Sequence, residues 1–198
     1  MHFKVFLLLI LSLCLTACAV SKPTLESRSN AELQIQHKRL TALKTFETEG
    51  KVSFKSEHKG GIALVYWRQE EDHYNIQITT VLGSHAIYLS GVPGRVRLKQ
   101  SNGEILKASS PEALIKETLG WDIPVSGLLY WIKGVPAPHD SKAEVVYDNL
   151  SRLKLLKQNN WSIHYESYSE VNGLFFPKKM TLENGPIKIK LLFNHWSY

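Results

Sequence analysis

From Phe46 onward the apolar residues of this chain recur at every second position, the period of a β-strand with one buried face. The runs GKVSFKSE, GIALVYWRQ, HYNIQITT, HAIYLSG, RVRLKQ and EILKA are separated by turn signals such as His58-Lys59-Gly60-Gly61, Pro93-Gly94 and Asn102-Gly103. Most of these connections are too short for a parallel crossover, so the strands pair antiparallel. A second block with the same period extends from about Val145 to Tyr198. There Trp161, Ile163 and Tyr165 share one face, and Ile187, Ile189, Leu191 and Phe193 share another.

The two blocks are flanked and split by helical texture. NAELQIQHKRLTALKT sets Leu33, His37, Leu40 and Leu43 at helical spacing, with Ser29 or Asn30 as the cap. SSPEALIKETLG has Ser109 as its cap, Pro111 in the first turn, Glu112 beyond it and Gly120 at the stop. PVSGLLYWIKG, from Pro124 to Gly134, reads as a second short helix with a broad apolar surface of Leu128, Leu129, Trp131 and Ile132. The expected order is one helix, about six strands, two helices and about five strands. The inserted helices must cover a sheet face.

The N-terminus decides the compartment. Lys4 is followed by an apolar run of eleven residues, Val5 to Leu15. That is too short to span a bilayer, which takes about twenty residues, and suits a secretory leader. Leu15-Thr16-Ala17-Cys18 looks like the lipobox of bacterial lipoproteins, with Cys18 lipidated and first in the mature chain. Residues 1–17 are then the signal peptide, 18–29 a lipidated tether and 30–198 one domain. Alanine at position 19, by resemblance to enterobacterial lipoproteins, points to the outer membrane. Three acyl chains, palmitate among them, at roughly 0.8 kcal/mol per methylene make an effectively permanent anchor. Cys14 leaves with the leader and Cys18 is consumed, so no thiol remains for disulfides or catalysis.

The pI near 9.2 and net charge of +6 would suggest nucleic acid in a cytosolic chain. Behind a secretory leader, a basic surface suits anionic lipid or an acidic protein instead. No G-x-S-x-G, H-E-x-x-H or glycine-rich phosphate loop occurs, and the eight histidines are dispersed. The acids Glu70-Glu71-Asp72 sit at a hairpin end, and neither His85 nor His195 has catalytic partners nearby in sequence. The expectation is a protein that is not an enzyme and holds neither cofactor nor metal. Its five Trp, eight Tyr and seven Phe fill either a solid core or a lined cavity; alternation alone does not distinguish the two.

One stretch resists an ordinary reading. In TTVLGSHAIYL the turn carries Val81 and Leu82 ahead of Gly83 and Ser84, where turn chemistry would place polar residues.

Several groups of residues together resemble one family. They are Trp67 in VYWRQ, Leu82-Gly83-Ser84, LSGVPGRVRL, PEALIKETLGWDIPVSGLLYWIKGVP, NNWSIHYESY, FPKKMTL and the closing KIKLLFNHW. Over nearly the whole mature length the chain looks like the LolB family, outer-membrane lipoprotein receptors of Gram-negative bacteria. These are similar in fold to the periplasmic carrier LolA. The resemblance implies an unclosed antiparallel β-barrel of about eleven strands, lidded by about three helices over an apolar cavity. It implies a monomer on the periplasmic face that takes lipoproteins from a LolA-like carrier by their acyl chains. The cargo then enters the inner leaflet of the outer membrane without ATP, as a lipoprotein-localisation chaperone would deliver it.

By the same resemblance the loop of Val81, Leu82 and Gly83 enters the membrane, with Leu82 at its tip. Many relatives have proline where this chain has Val81. Trp67, Ile115, Leu119, Leu128, Trp131 and Ile132 are the expected cavity and lid residues. A lipoprotein of the same fold that binds another lipid or glycolipid is the alternative, and a solid-core envelope adaptor a third. Leu82 tucked beneath its turn is the structural alternative for the loop.

Overall fold

The computed structural model describes residues 25–57, 59–120, 122–138 and 141–198, and for residues 25–30 and Leu119 the backbone alone. The leader, Cys18 and the first part of the tether lie outside the described residues.

The first helix, α1, spans Leu25–Ala42. It starts several residues before the expected cap, inside the segment read as tether. No Gly or Pro interrupts the chain between Leu25 and Ala42, so nothing halts the helix until it nears Pro23. Its inward face is the expected one. Leu40 is buried, Leu33, His37 and, just past the end of the helix, Leu43 are half-buried, and Gln36 Nε2 donates to the Phe175 carbonyl at 3.2 Å.

Six strands follow: β1 (Thr45–Lys55), β2 (Gly60–Glu70), β3 (His73–Thr80), β4 (Ala86–Val92), β5 (Arg95–Gln100) and β6 (Ile105–Ala108). Helices α2 (Pro111–Leu119) and α3 (Val125–Trp131) intervene. Then come β7 (Glu144–Tyr147), β8 (Leu153–Gln158), β9 (Trp161–Val171), β10 (Leu174–Asn184) and β11 (Ile187–Ser197). All eleven form one antiparallel sheet in the order β6-β5-β4-β3-β2-β1-β11-β10-β9-β8-β7. Strand β1 closes against β11, joining the two blocks, while β6 and β7 remain edges. The barrel is therefore unclosed, as the resemblance implies.

The seam between the blocks bends at a bulge, where the register of β1 against β11 shifts between Glu49 and Gly50. A Cβ at Gly50 would lie 2.0 Å from the Leu192 carbonyl oxygen, so only glycine permits the approach.

The lid helices are set by their caps. Ser110, not Ser109, caps α2: its backbone is extended and its Oγ accepts from Ala113 N at 3.2 Å. Pro111 at the first helical position forces this choice, because the residue before proline is driven out of the helical region. Glu112 does not close a capping box; its carboxylate accepts from Ser126 N at 2.7 Å and ties α2 to the start of α3. Gly120 ends α2 in the left-handed region at φ 76°, its N–H donating to the Lys116 carbonyl. Helix α3 is shorter than the span from Pro124 to Gly134. It ends at Trp131, and residues 132–134 form turns closed by Gly134 N donating to the Trp131 carbonyl.

Candidate functional site: an apolar cavity and an exposed loop

In β2 the buried residues are Ala63, Val65, Trp67 and Gln69, while Ile62, Leu64 and Tyr66 stand exposed on the outer face. The register carries this parity sideways. Trp67 is opposite Ile76, and Ile76 is opposite Leu89. Val65 is opposite Ile78, and Val52 of β1 is opposite Leu191 of β11. These residues, with Ile189 and Phe193, floor a cavity of about 140 Å³. Ile115 of α2, Ile123 in the connection, and Val125, Leu128 and Ile132 at α3 roof it. All the lining residues are apolar. The one side-chain donor among them, Trp67 Nε1, is engaged by Gln69 Oε1 at 3.2 Å.

Of the expected cavity residues, Trp67, Ile115, Leu128 and Ile132 line this space together. Leu119 falls in α2, but its side chain lies outside the described residues. Trp131 does not line it. Residue 131 sits about 100° around the helix axis from residue 132, and that rotation takes it off the cavity face. Its ring is fully buried, its Nε1 donates to Gln158 Oε1 at 2.9 Å, and its carbonyl accepts from the Tyr165 hydroxyl at 3.0 Å. Trp131 thus anchors the lid to β8 and β9 rather than facing the cavity.

Gln158 is the centre of that anchor. The same Oε1 accepts from Ala137 N, and its Nε2 donates to the carbonyls of Ala137 and Ser141, each at 2.9 Å. Nearby, Lys133 is buried, with Nζ donating to the Leu43 carbonyl at 2.8 Å and lying 5.1 Å from the Tyr130 ring centroid. Burial lowers its ammonium to about 8. It clasps the end of the lid to the junction between α1 and β1.

The β3–β4 connection projects Leu82 into solvent, 92% exposed, with Val81 60% exposed beside it. Leu82 is not tucked beneath its turn. Gly83 N donates to the Thr80 carbonyl at 2.8 Å, Thr80 N donates to the His85 carbonyl at 2.9 Å, and Gly83 takes φ 70°. Ser84 Oγ lies 3.3 Å from Thr80 Oγ1 and 3.1 Å from His85 Nδ1. The polar residues of the loop therefore bond to one another and leave its two apolar side chains outside.

Among the described residues no helix is long and apolar enough to cross a membrane, and no cluster of three metal-ligating side chains occurs.

The family described as outer membrane lipoprotein LolB matches residues 44–196, from the start of β1 to the end of β11. The chain belongs to the LolB family. An outer-membrane lipoprotein LolB of Ectopseudomonas mendocina is 37% identical over 98% of this chain and 95% of that protein. One of Pseudomonas syringae pv. syringae is 36% identical over the same shares. LolB membership places the chain outside the enzymes.

The fold has solved counterparts. A LolA-superfamily protein of Nitrosomonas europaea superposes with a TM-score of 0.58 at 8% identity, covering 85% of this chain and 92% of that one. An outer-membrane lipoprotein-sorting domain of Vibrio parahaemolyticus gives 0.57 at 10% identity over the same shares. At such identities the likeness concerns the fold alone. The LolB-family half-barrel thus shares its architecture with the LolA superfamily.

Proposed function

We propose that this LolB-family chain is anchored to the outer membrane through a lipidated Cys18 on the periplasmic face. There it accepts lipoproteins from a LolA-like carrier and inserts them into the inner leaflet. The cargo's acyl chains occupy the apolar cavity, and Leu82 leads the loop into lipid. No bond is made or broken, so direction comes from the relative affinities of carrier, cavity and bilayer. A wholly apolar lining supplies area without polar anchors, which permits release as well as capture.

The observation that carries this reading is the pairing of that cavity with a leucine held 92% exposed. An exposed leucine gains nothing in water, but its burial in lipid is worth roughly 1.5–3 kcal/mol.

The test uses the mature chain as Cys18→Ala, mixed with carrier loaded with a radiolabelled lipoprotein. Label is expected to move to both this form and its Leu82→Glu variant. Only the form with Leu82 is expected to pass label on to liposomes. Transfer to neither would refute acyl-chain acceptance; delivery by both would remove the loop's role.

A further inference from the structure

A second cavity, of about 410 Å³, opens at the end of the barrel opposite the Leu82 loop, between the β2–β3 and β4–β5 turns and the first turns of α2 and α3. It shares Trp67 and Val125 with the apolar cavity, so these two side chains divide one chamber from the other. Its character is different: Gln69, Tyr74, Ser109, Ser110 and Ser126 all line it.

Tyr74 is the residue that needs explaining. It lies two positions before Ile76 and four before Ile78 on the inward face of β3, both of which line the apolar chamber. Its hydroxyl is buried and makes no hydrogen bond to any described residue. A buried hydroxyl without a partner is costly, and such a group is normally satisfied. Its oxygen packs closely against Gly91, its partner on β4: a Cβ there would come within 3.2 Å of it. Burial, and then the Glu112 carboxylate, push the phenol up to about 12, so it stays protonated and offers a donor.

The rim carries carboxylates. Glu71 and Asp72 line the chamber, and Glu112 holds Ser126 beside it. The nearby cations are otherwise engaged. Lys44 pairs with Glu71 at 3.3 Å, and Lys133 donates to the Leu43 carbonyl. Arg95 and Arg97 alternate with the buried Val96 and Leu98 and so stand on the outer face of β5.

We propose that this chamber is a polar subsite for the ester- and amide-bearing junction of an acylated, glyceryl-modified cysteine. Tyr74 donates to a carbonyl there, and Glu71, Asp72 and Glu112 reject phosphate-headed lipids. The proposal rests on acyl-chain binding in the apolar chamber and adds the means of selection. A receptor facing a bilayer meets far more phospholipid than lipoprotein, and acyl chains alone do not tell the two apart. A neutral, carbonyl-rich junction is compatible with a carboxylate rim; an anionic phosphate is not.

The experiment uses the full chain in phosphatidylcholine vesicles, photolabelled with diazirine analogues of palmitate, of a tripalmitoyl-glyceryl-cysteine peptide and of phosphatidylglycerol. Tyr74→Phe is expected to raise the half-saturating concentration of the peptide by about three- to tenfold, the worth of one hydrogen bond, and to leave palmitate unchanged. Glu112→Gln retains an acceptor for Ser126 N, and is expected to increase phosphatidylglycerol labelling several-fold. An unchanged peptide-to-palmitate ratio in Tyr74→Phe would overturn the phenol's role. Unchanged phosphatidylglycerol labelling in Glu112→Gln would overturn the rejection of phosphate. Wild type that labels with palmitate while both variants match it sinks the subsite alone. Wild type that labels with no probe sinks acyl-chain binding, and the subsite with it.

Discussion

The two halves of the sheet are written in the same alternating code and are packed in opposite ways. In β8–β10, Leu156, Ile163, Met180, Leu182 and Phe176 are almost wholly buried in a solid core. In β1–β4, Val52, Val65, Ile76 and Leu89 turn inward with the same period but face an open space. What differs is the cover. Over the second half the chain lays Trp131, tied to Gln158 of β8, with Lys133 and the end of α1. Phe46, Trp67, Trp196 and Phe176 add an aromatic wedge, with Phe176 stacked on Trp196 at 4.6 Å. Over the apolar cavity of the first half it lays only aliphatic side chains, Ile115, Ile123, Val125, Leu128 and Ile132. The solid half has aromatic and polar cover, and the open one a purely aliphatic roof.

If that contrast is right, truncation should be severe on one flank of α3 and mild on the other. Trp131→Ala empties a fully packed site and strips one partner from Gln158, for an expected loss of about 4 kcal/mol. Leu128→Ala, three residues away, enlarges a space that already exists. It should cost about 1–2 kcal/mol, with acyl-chain affinity changed more than stability. Urea unfolding of the two variants measures the gap directly; equal losses would mean that the cavity is filled by packing in solution.

Gln158→Leu attacks the same anchor through its polar atoms. It leaves the Trp131 indole and Ala137 N–H without their acceptor, and the Ala137 and Ser141 carbonyls without their donor. The expected loss is about 2–3 kcal/mol, since buried groups left unpaired cost more than the bonds themselves contribute. Urea midpoints close to wild type would show that water replaces the side chain.

Lys133 gives a pH signature to the solid half. Its ammonium titrates near 8 when folded against an ordinary 10.5, so above pH 8 the unfolded chain holds more protons than the folded one. Stability should therefore rise with pH from about 8 until the ordinary lysine range, by about 1–3 kcal/mol. Tyr165 and Tyr168, raised mainly by burial, act oppositely above pH 10. The window to read is therefore pH 8–10. Lys133→Met should flatten the rise there, and a slope that survives in the variant would assign it elsewhere.

Much of this was legible before any coordinates. Period two and short turns led to eleven antiparallel strands, and Pro111 and Gly120 marked the ends of α2 because proline and glycine act locally. The cavity was less accessible. Trp67, Ile115, Leu128 and Ile132 converge on it, but their roles came from a resemblance. Trp131 belonged to the same apolar stripe and points elsewhere, since a helix of seven residues shows more than one face to its surroundings. Val65, Ile76, Leu89 and Leu191 were unassigned because strand parity is a binary choice that periodicity leaves open. One parity, that of Trp67, would have propagated through the register to all of them. Tyr74 and Gln158 had no signal at all: a polar residue in a strand does not announce what its side chain meets on the buried face.

The smallest expected effect concerns the loop itself. Valine before the leucine, where the resemblance implies proline in many members, raises the question of whether delivery needs a stiff loop or merely an apolar one. Val81 is the second residue of a turn in which Gly83 N donates to the Thr80 carbonyl, a position that favours proline. The preceding Thr80 ends β3 and is already extended, as a residue before proline must be. Val81→Pro should therefore be tolerated, raising stability by about 0.4–1 kcal/mol through a less flexible unfolded chain. Leu82 would remain exposed. If delivery to liposomes is unchanged while the urea midpoint rises slightly, apolar character suffices. If delivery accelerates, rigidity matters, because a pre-formed turn loses less freedom on entering lipid, and the valine of this chain then trades speed for apolar area at the tip.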